Sequence, residues 1–378
     1  MPEEAVGRDD LRDLSDLEKR MLVVLSLFET SRKSGNADEY VFPDGRRIKP
    51  TLEGIKQCLR EGQSIAMERM RGSAEQLLRS KLVTRKSDLY FLSDAGKKVG
   101  KTFRIERMSK GYDELLSRTG NSKAYSMFCE RVFGKDLSQF NVLDMAQLNT
   151  LLEKLELKPG EVVLDLGCGT GRIAEYISDR TGAKMVGLDF AVRVVEDAQQ
   201  RTLDKKERLT YVAGNMDDLA FAESSFDAII SIDTLYFVES IDLTIRKLRS
   251  LLAPPNGRLA IFCDQTCGPD ESREILLPEN TRVGVALGRN GLAYETVDYT
   301  SSSRGIWIRE IAAAEELKEL FVKEGNVDIY DDRVQDAKRT LETIESGRHV
   351  RYFYLATLKK QTRDAPTIMS DVSVNPLA

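Results

Sequence analysis

Apolar positions along the chain fall into two regimes. From Leu14 onward, Leu17, Met21, Leu25 and Phe28 recur three or four residues apart, the stripe of an amphipathic helix. Gly35 and Pro43-Asp44-Gly45 mark a loop, and residues 51–60 and 64–80 read as two further helices. Leu82-Val83 then runs through a short polar stretch into Leu89-Tyr90-Phe91-Leu92 and a helix start at Ser93-Asp94-Ala95-Gly96. From residue 141 the pattern changes. A helix bearing Leu148, Leu151, Leu152 and Leu155, with Asn141 as its expected cap, stops at Pro159-Gly160. Unbroken apolar runs at 162–166, 185–189, 209–213, 228–232 and 259–263 follow, separated by helical periods at 172–180, 192–201 and 243–252. Runs without polar alternation predict strands covered on both faces, and strands separated by helices predict βαβ units.

The same pattern sets expected boundaries. Residues 1–105 form a small, mainly helical front domain, with 1–13 fraying. A connector at 106–140 carries Tyr112, Tyr125, Phe128, Phe133 and Phe140, and an α/β domain spans 141–360. Its last two strands are expected at 327–330 and 351–358, around a helix at 334–344, and an earlier helix starts near Arg309. That leaves 264–310 as an insertion with Tyr294, Glu295, Asp298, Tyr299, Trp307 and Glu310. A connection of that length is expected to cover a substrate pocket. Residues 361–378 lack periodicity and are expected to be disordered.

Composition narrows the chemistry. The single histidine, His349, argues against imidazole catalysis and His-rich metal sites. The five cysteines are too irregular for a disulfide framework, and Cys263-x-x-x-Cys267 lacks further ligands, so no metal is expected. No apolar run approaches the ~18 residues of a membrane span, and no basic-then-apolar leader is evident, so the expected location is the cytoplasm. Residues 1–110 hold 23 basic and 18 acidic side chains against 33 and 43 in the remainder, which suggests two modules with different partners.

The most informative segment is Asp165-Leu166-Gly167-Cys168-Gly169-Thr170-Gly171, where a buried strand ends in three glycines and passes straight into a helix. Asp189 ends the next strand, where a ribose diol would meet a carboxylate, and the third strand ends in Gly214-Asn215-Met216-Asp217. In this order the motifs resemble the class I S-adenosylmethionine (SAM) dependent methyltransferases, from about residue 148 to 263. The resemblance implies a doubly wound, mostly parallel, seven-stranded Rossmann-like α/β sheet with SAM as cofactor. By that resemblance Gly167, Cys168, Gly169 and Gly171 lie under the methionine part, and Asp165 orients its amino group. Asp189 takes the ribose, Asn215 or Asp217 with Met216 meets the adenine edge, Phe190 packs on its face, and Ser231 and Asp233 line the transfer site. Residues 14–105 resemble a winged helix-turn-helix domain, and the segment from Trp307 is similar to the ends of small-molecule methyltransferases of the ubiquinone-biosynthesis group.

The acceptor is less determined. Asp233-Thr234-Leu235-Tyr236 stands where methyltransferases of base amines carry Asn/Asp-Pro-Pro-Tyr/Phe, which argues against that chemistry. Asp233, Tyr236, Trp307 and Tyr125 are expected to bound a small-molecule acceptor, cationic or amine-bearing in character. The alternatives are a nucleic-acid-directed methyltransferase and a SAM-sensing regulator. The presumed recognition helix mixes Arg69, Arg71 and Arg79 with Glu68 and Glu75. The front domain is therefore expected to dock on the catalytic domain or form a homodimer, without specific nucleic-acid binding.

Overall fold

The computed structural model describes residues 13–30, 32–33, 39–41, 46–59 and 64–358. The expectations for residues 1–12, Gly35, Pro43-Asp44-Gly45 and the tail from Gln361 lie outside the described residues. The front of the chain builds α1 (Asp16–Thr30), a small antiparallel sheet of β1 (Arg32–Lys33), β2 (Tyr40–Val41) and β3 (Arg47–Ile48), and then α2 (Leu52–Cys58) and α3 (Met67–Arg79). A hairpin of β4 (Val83–Lys86) and β5 (Leu89–Leu92) leads into the long helix α4 (Asp94–Gly120), whose first turn is capped by the Ser93 hydroxyl. Leu17, Met21, Leu25 and Phe28 of the predicted α1 stripe are buried with Ile55, Met70, Leu77 and Val99.

Next come α5 (Lys123–Phe133) and α6 (Met145–Leu155), then β6 (Val162–Leu166), α7 (Arg172–Thr181), β7 (Lys184–Asp189), α8 (Val192–Arg201), β8 (Leu209–Ala213), β9 (Ala228–Ile232), α9 (Ile241–Leu251) and β10 (Arg258–Thr266). The chain ends in α10 (Arg282–Arg289), β11 (Leu292–Asp298), α11 (Thr300–Lys323), α12 (Val327–Glu345) and β12 (His349–Leu358). The seven strands β6 to β12 form one sheet in the order β11-β12-β10-β9-β6-β7-β8, parallel except for β12, which runs against both neighbours. Successive residues of β6 face opposite layers: Val163 packs with Ile177 and Ile230 on one side, Leu164 with Ile229 and Ile245 on the other. After β8 the chain crosses back to pair β9 with the other edge of β6. The carboxyl ends of β6 and β9 therefore frame a switch point, where open α/β sheets bind ligands.

Four expectations are corrected. The sixth strand, β11, lies inside 264–310, so that segment, with α10 as well, is part of the fold rather than an insertion. As an outer strand with partly wetted positions, β11 shows no unbroken apolar run. Residues 327–330 open a helix, because Ile329, Tyr330, Arg333, Val334 and Ala337 are buried at helical spacing. Asn141 caps no helix; Asp144 does so for α6, its carboxylate accepting from Gln147 N at 3.0 Å. Residue 105 is no boundary, since α4 runs unbroken through it and most of the connector is helical. The real elaboration is the α11–α12 pair between β11 and β12. It packs on α5 through Phe128, Ile306, Leu317, Phe321 and Val334.

Candidate cofactor and acceptor site

A cavity of about 410 Å³ opens at the switch point. Its floor is the loop after β6, and two glycines there are required by close packing. Gly167 has φ +80°, and a Cβ would sit 2.4 Å from the Thr234 methyl; Gly171 has φ +70°, and a Cβ would sit 2.4 Å from the Tyr211 ring. The close approach at both glycines is thus made to the protein itself. Gly171 does not line the cavity, whereas Gly167, Cys168, Gly169 and Thr170 do. Thr234 locks the loop from β9, its hydroxyl donating to the Leu166 carbonyl at 2.8 Å. Ser231 is fully buried, shares a hydrogen bond with Thr234 at 2.7 Å, and does not reach the cavity.

Asp189 holds the other side of the loop. One carboxylate oxygen accepts from Gly169 N at 2.8 Å and the other from Ala191 N at 2.9 Å, which fixes both oxygens at the cavity wall. Phe190 and Met216 line the same wall. Asn215 and Asp217 do not. Asn215 accepts from Asp217 N, and Asp217 accepts from Glu239 N and lies 3.7 Å from Lys101, so the loop's polar ends point into its own turn.

The aromatic wall comes from an unexpected place. Tyr112 and Leu116, on the distal half of α4, line the cavity, and the Tyr112 ring meets Phe190, Phe237 and Phe140 edge-on at 5.4, 5.6 and 6.4 Å. Along the same helix, Ser109 donates to the Phe190 carbonyl at 2.7 Å. Asp113 accepts from Arg193 N at 2.9 Å and Val194 N at 3.2 Å, capping α8 from outside.

The far end of the cavity is bounded by Asp233, Tyr236, Asp264, Trp307, Arg333, Asp336 and Thr340. Asp233 is not a free base. Arg351, fully buried on β12, donates to both its oxygens at 2.7 and 3.0 Å, to Asp264 at 2.9 Å and to Gln147 at 3.2 Å, while Val142 N donates to Asp233 at 3.0 Å. Burial works against the guanidinium charge, but the two carboxylates outweigh it and hold the Arg351 pKa above its ordinary value. Tyr236 is 53% exposed, which puts it at the mouth. Tyr125 leaves the expected set: it is buried, donates to the Gln139 carbonyl at 2.8 Å and stacks behind Phe140. Trp307 is both cavity wall and core, packed in the α5–α11–α12 cluster. Of the remaining 264–310 residues named above, none lines the cavity; Glu295 pairs with Lys154 at 2.7 Å. His349 stands 3.8 Å behind Asp264, and burial lowers its pKa.

Two groups on the floor have shifted protonation. Burial, aided by the Asp189 charge, pushes Asp165 up to about 7. Burial also drives the Cys168 thiol well above its ordinary range, leaving it protonated and unsuited as a nucleophile. A ligand's ammonium group over Asp165 favours the carboxylate, so binding should release a proton when the acid starts neutral. Affinity for S-adenosylhomocysteine is therefore expected to rise as pH increases from about 6 to about 8. Calorimetry in buffers of different ionisation enthalpy checks this; an Asp165→Asn protein with the same pH profile would refute the assignment.

With this geometry in place, the likenesses to known proteins become interpretable. Residues 163–255 match the family described as methyltransferase domain. Phosphoethanolamine N-methyltransferase 3 of Arabidopsis thaliana is 26% identical over 250 residues, covering 63% of this chain and 50% of that protein. The 2-phytyl-1,4-naphtoquinone methyltransferase of Trichormus variabilis is 34% identical over 109 residues, covering 28% of this chain and 47% of the relative. This chain spans about half the length of the curated relatives it matches. Among solved structures, phosphoethanolamine N-methyltransferase 2 of Haemonchus contortus, in complex with S-adenosyl-L-methionine, has the same fold. Its TM-score is 0.54 at 21% identity, covering 65% of this chain and 60% of that one. Residues 163–255 thus match a methyltransferase domain, and the seven-stranded sheet that carries them has the fold of that SAM-bound structure. Among the described residues, no helix is long and apolar enough to cross a membrane.

Proposed function

We propose that the protein methylates the nitrogen of a small amine, with S-adenosylmethionine as cofactor and methyl donor. The observation that carries this reading is the Asp189 carboxylate, fixed between Gly169 N and Ala191 N at the edge of a cavity whose opposite end is closed by α11 and α12. Asp165, the 167–170 backbone, Asp189, Phe190, Met216, Tyr112 and Leu116 would hold the cofactor, which supplies an electrophilic methyl on a sulfonium. Tyr236, Trp307 and Phe140 would hold the acceptor and exclude water, as an in-line displacement requires. Five aspartates line the cavity, two of them paired with Arg351, against one lining arginine, Arg333, so a cationic or amine-bearing acceptor suits it. The names of the curated relatives support nitrogen as the acceptor atom.

The front domain acts on the catalytic domain through α4 and does not read nucleic-acid sequence. Lys101 and Arg104 of α4 pair with Glu239 at 3.0 and 3.5 Å, and the exposed face of α3 mixes Glu68, Arg69, Arg71, Glu75 and Arg79. A homodimer in the cytoplasm is the setting this reading takes. The test is release of S-adenosylhomocysteine from SAM with a panel of small primary and secondary amines. Asp189→Ala should weaken S-adenosylhomocysteine binding by about 1–3 kcal/mol. Unchanged affinity in that variant would remove Asp189 from the site, and turnover confined to hydroxyl or carbon acceptors would remove the amine.

A further inference from the structure

Arg333 on α12 is a buried cation that its own protein leaves unsatisfied. Its side chain is 11% exposed and lines the cavity, yet its nearest carboxylates stand at ion-pair range without hydrogen bonding, Glu310 at 4.0 Å and Asp336 at 3.8 Å. Its Nε is buried with no partner. The guanidinium carbon lies 4.5 Å from the centroid of the Phe140 ring, a cation–π contact. Trp307 lines the same cavity from α11, one turn before Glu310, and its indole N–H is likewise buried and unpartnered. An unmet buried donor is costly, so two beside one cavity call for an acceptor group that a ligand brings.

We propose that Arg333 and Trp307 form a carboxylate subsite, so that the methyl acceptor is an amine carrying a single carboxylate. This rests on the amine reading and adds the second functional group of the same molecule. The charge balance selects the anion. A planar monoanion matches the two parallel N–H groups along one edge of a guanidinium. A dianionic phosphate would face one cation among several aspartates, with no second basic side chain among the lining residues. Glu310 does not compete strongly for the guanidinium. Both its oxygens are buried without hydrogen bonds, and burial pushes it up to about 7, so it surrenders its charge readily when a ligand anion arrives.

Trp307 is the only tryptophan in the sequence, so the site carries its own reporter. The full chain, saturated with S-adenosylhomocysteine, is titrated with acetate, glycine and inorganic phosphate while tryptophan emission is followed. A saturable change with acetate and glycine in the millimolar range is expected, with phosphate weaker. Arg333→Met should abolish it, and Arg333→Lys, which keeps the charge but loses the planar edge, should weaken it about tenfold. S-adenosylhomocysteine affinity by calorimetry should stay within about twofold in both variants. No saturable change in the unaltered protein overturns the subsite, as does preference for phosphate or a response equal in Arg333→Lys. Loss of S-adenosylhomocysteine binding in Arg333→Met would assign the guanidinium to the cofactor. Failure of the unaltered protein to bind S-adenosylhomocysteine would instead sink the methyltransferase reading itself.

Discussion

Arg351→Met is expected to lower the unfolding free energy by about 3–5 kcal/mol, the cost of leaving buried charge without its partner. Arg351 is fully buried and is the group that pairs with Asp233, whose other contact is a single backbone N–H from Val142. It also holds Asp264 on β10 and Gln147 on α6, so one side chain ties β9, β10, β12 and the segment before α6 together beneath the acceptor end. Methionine keeps much of the volume and removes every one of these bonds. The control is the pair Arg351→Met with Asp233→Asn, which should recover part of the loss, because a neutral amide is cheaper to bury than an unpaired carboxylate. Denaturant unfolding of the three proteins decides the matter. A single-variant cost below about 1 kcal/mol would mean that water or rearrangement satisfies the aspartates and that the network does not hold the site.

The same network shows why the sequence disclosed one half of the cavity and hid the other. Asp165, Gly167, Cys168, Gly169 and Asp189 lie within one βαβ unit, where the chemistry of the turn is written in consecutive residues. Even there, Gly167 and Gly171 make room for Thr234 and Tyr211, contacts that the turn's own residues do not announce. The acceptor end is assembled from β9, β10, α11, α12 and β12, with Arg351 meeting Asp233 across 118 residues, and no local spacing announces such a meeting. Arg333 looks like any charge on an amphipathic helix until its burial is known. Tyr236 and Trp307, singled out by a strand exit and a lone tryptophan, both line the cavity. Tyr125 stood out equally and proved to be packing. The misplaced sixth strand has the simplest cause: β11 at the sheet edge is half wetted, so its apolar pattern is broken.

The front domain was legible as elements but not as a partner in the site. Its apolar stripe and Ser93 helix start lie where the sequence puts them, while the continuity of α4 across residue 105 has no local signature. That continuity brings the helix that starts in the front domain to the wall of the cavity. Val99 is buried in the front core, and two to five turns further on Ser109, Tyr112, Asp113 and Leu116 contact the Phe190–Val194 region or the cavity. At its end, Arg118 pairs with Asp328 at 2.5 Å and donates to Asn326 at 3.0 Å, which ties α4 to the turn between α11 and α12. One helix therefore touches the front core, the aromatic wall of the cavity and the α11–α12 pair.

Removing residues 1–120 is accordingly expected to lower affinity for S-adenosylhomocysteine by at least about a hundredfold, or ~2.7 kcal/mol. The loss would come from the Tyr112 and Leu116 wall and from the outside cap on α8. Because exposed apolar surface could also make the truncated protein aggregate, Tyr112→Ala in the full chain is the companion experiment. Losing the ring that meets Phe190, Phe237 and Phe140 should weaken binding about tenfold while leaving the front core, which Tyr112 does not touch, intact. Calorimetry measures the affinity, and protection of α1 amides from hydrogen exchange reports the front core. If Tyr112→Ala binds S-adenosylhomocysteine as the unaltered chain does, α4 is a tether and not a wall. If binding falls and α1 also loses protection, the helix carries the strain of cofactor loss into the front domain, and the two halves act as one cooperative unit.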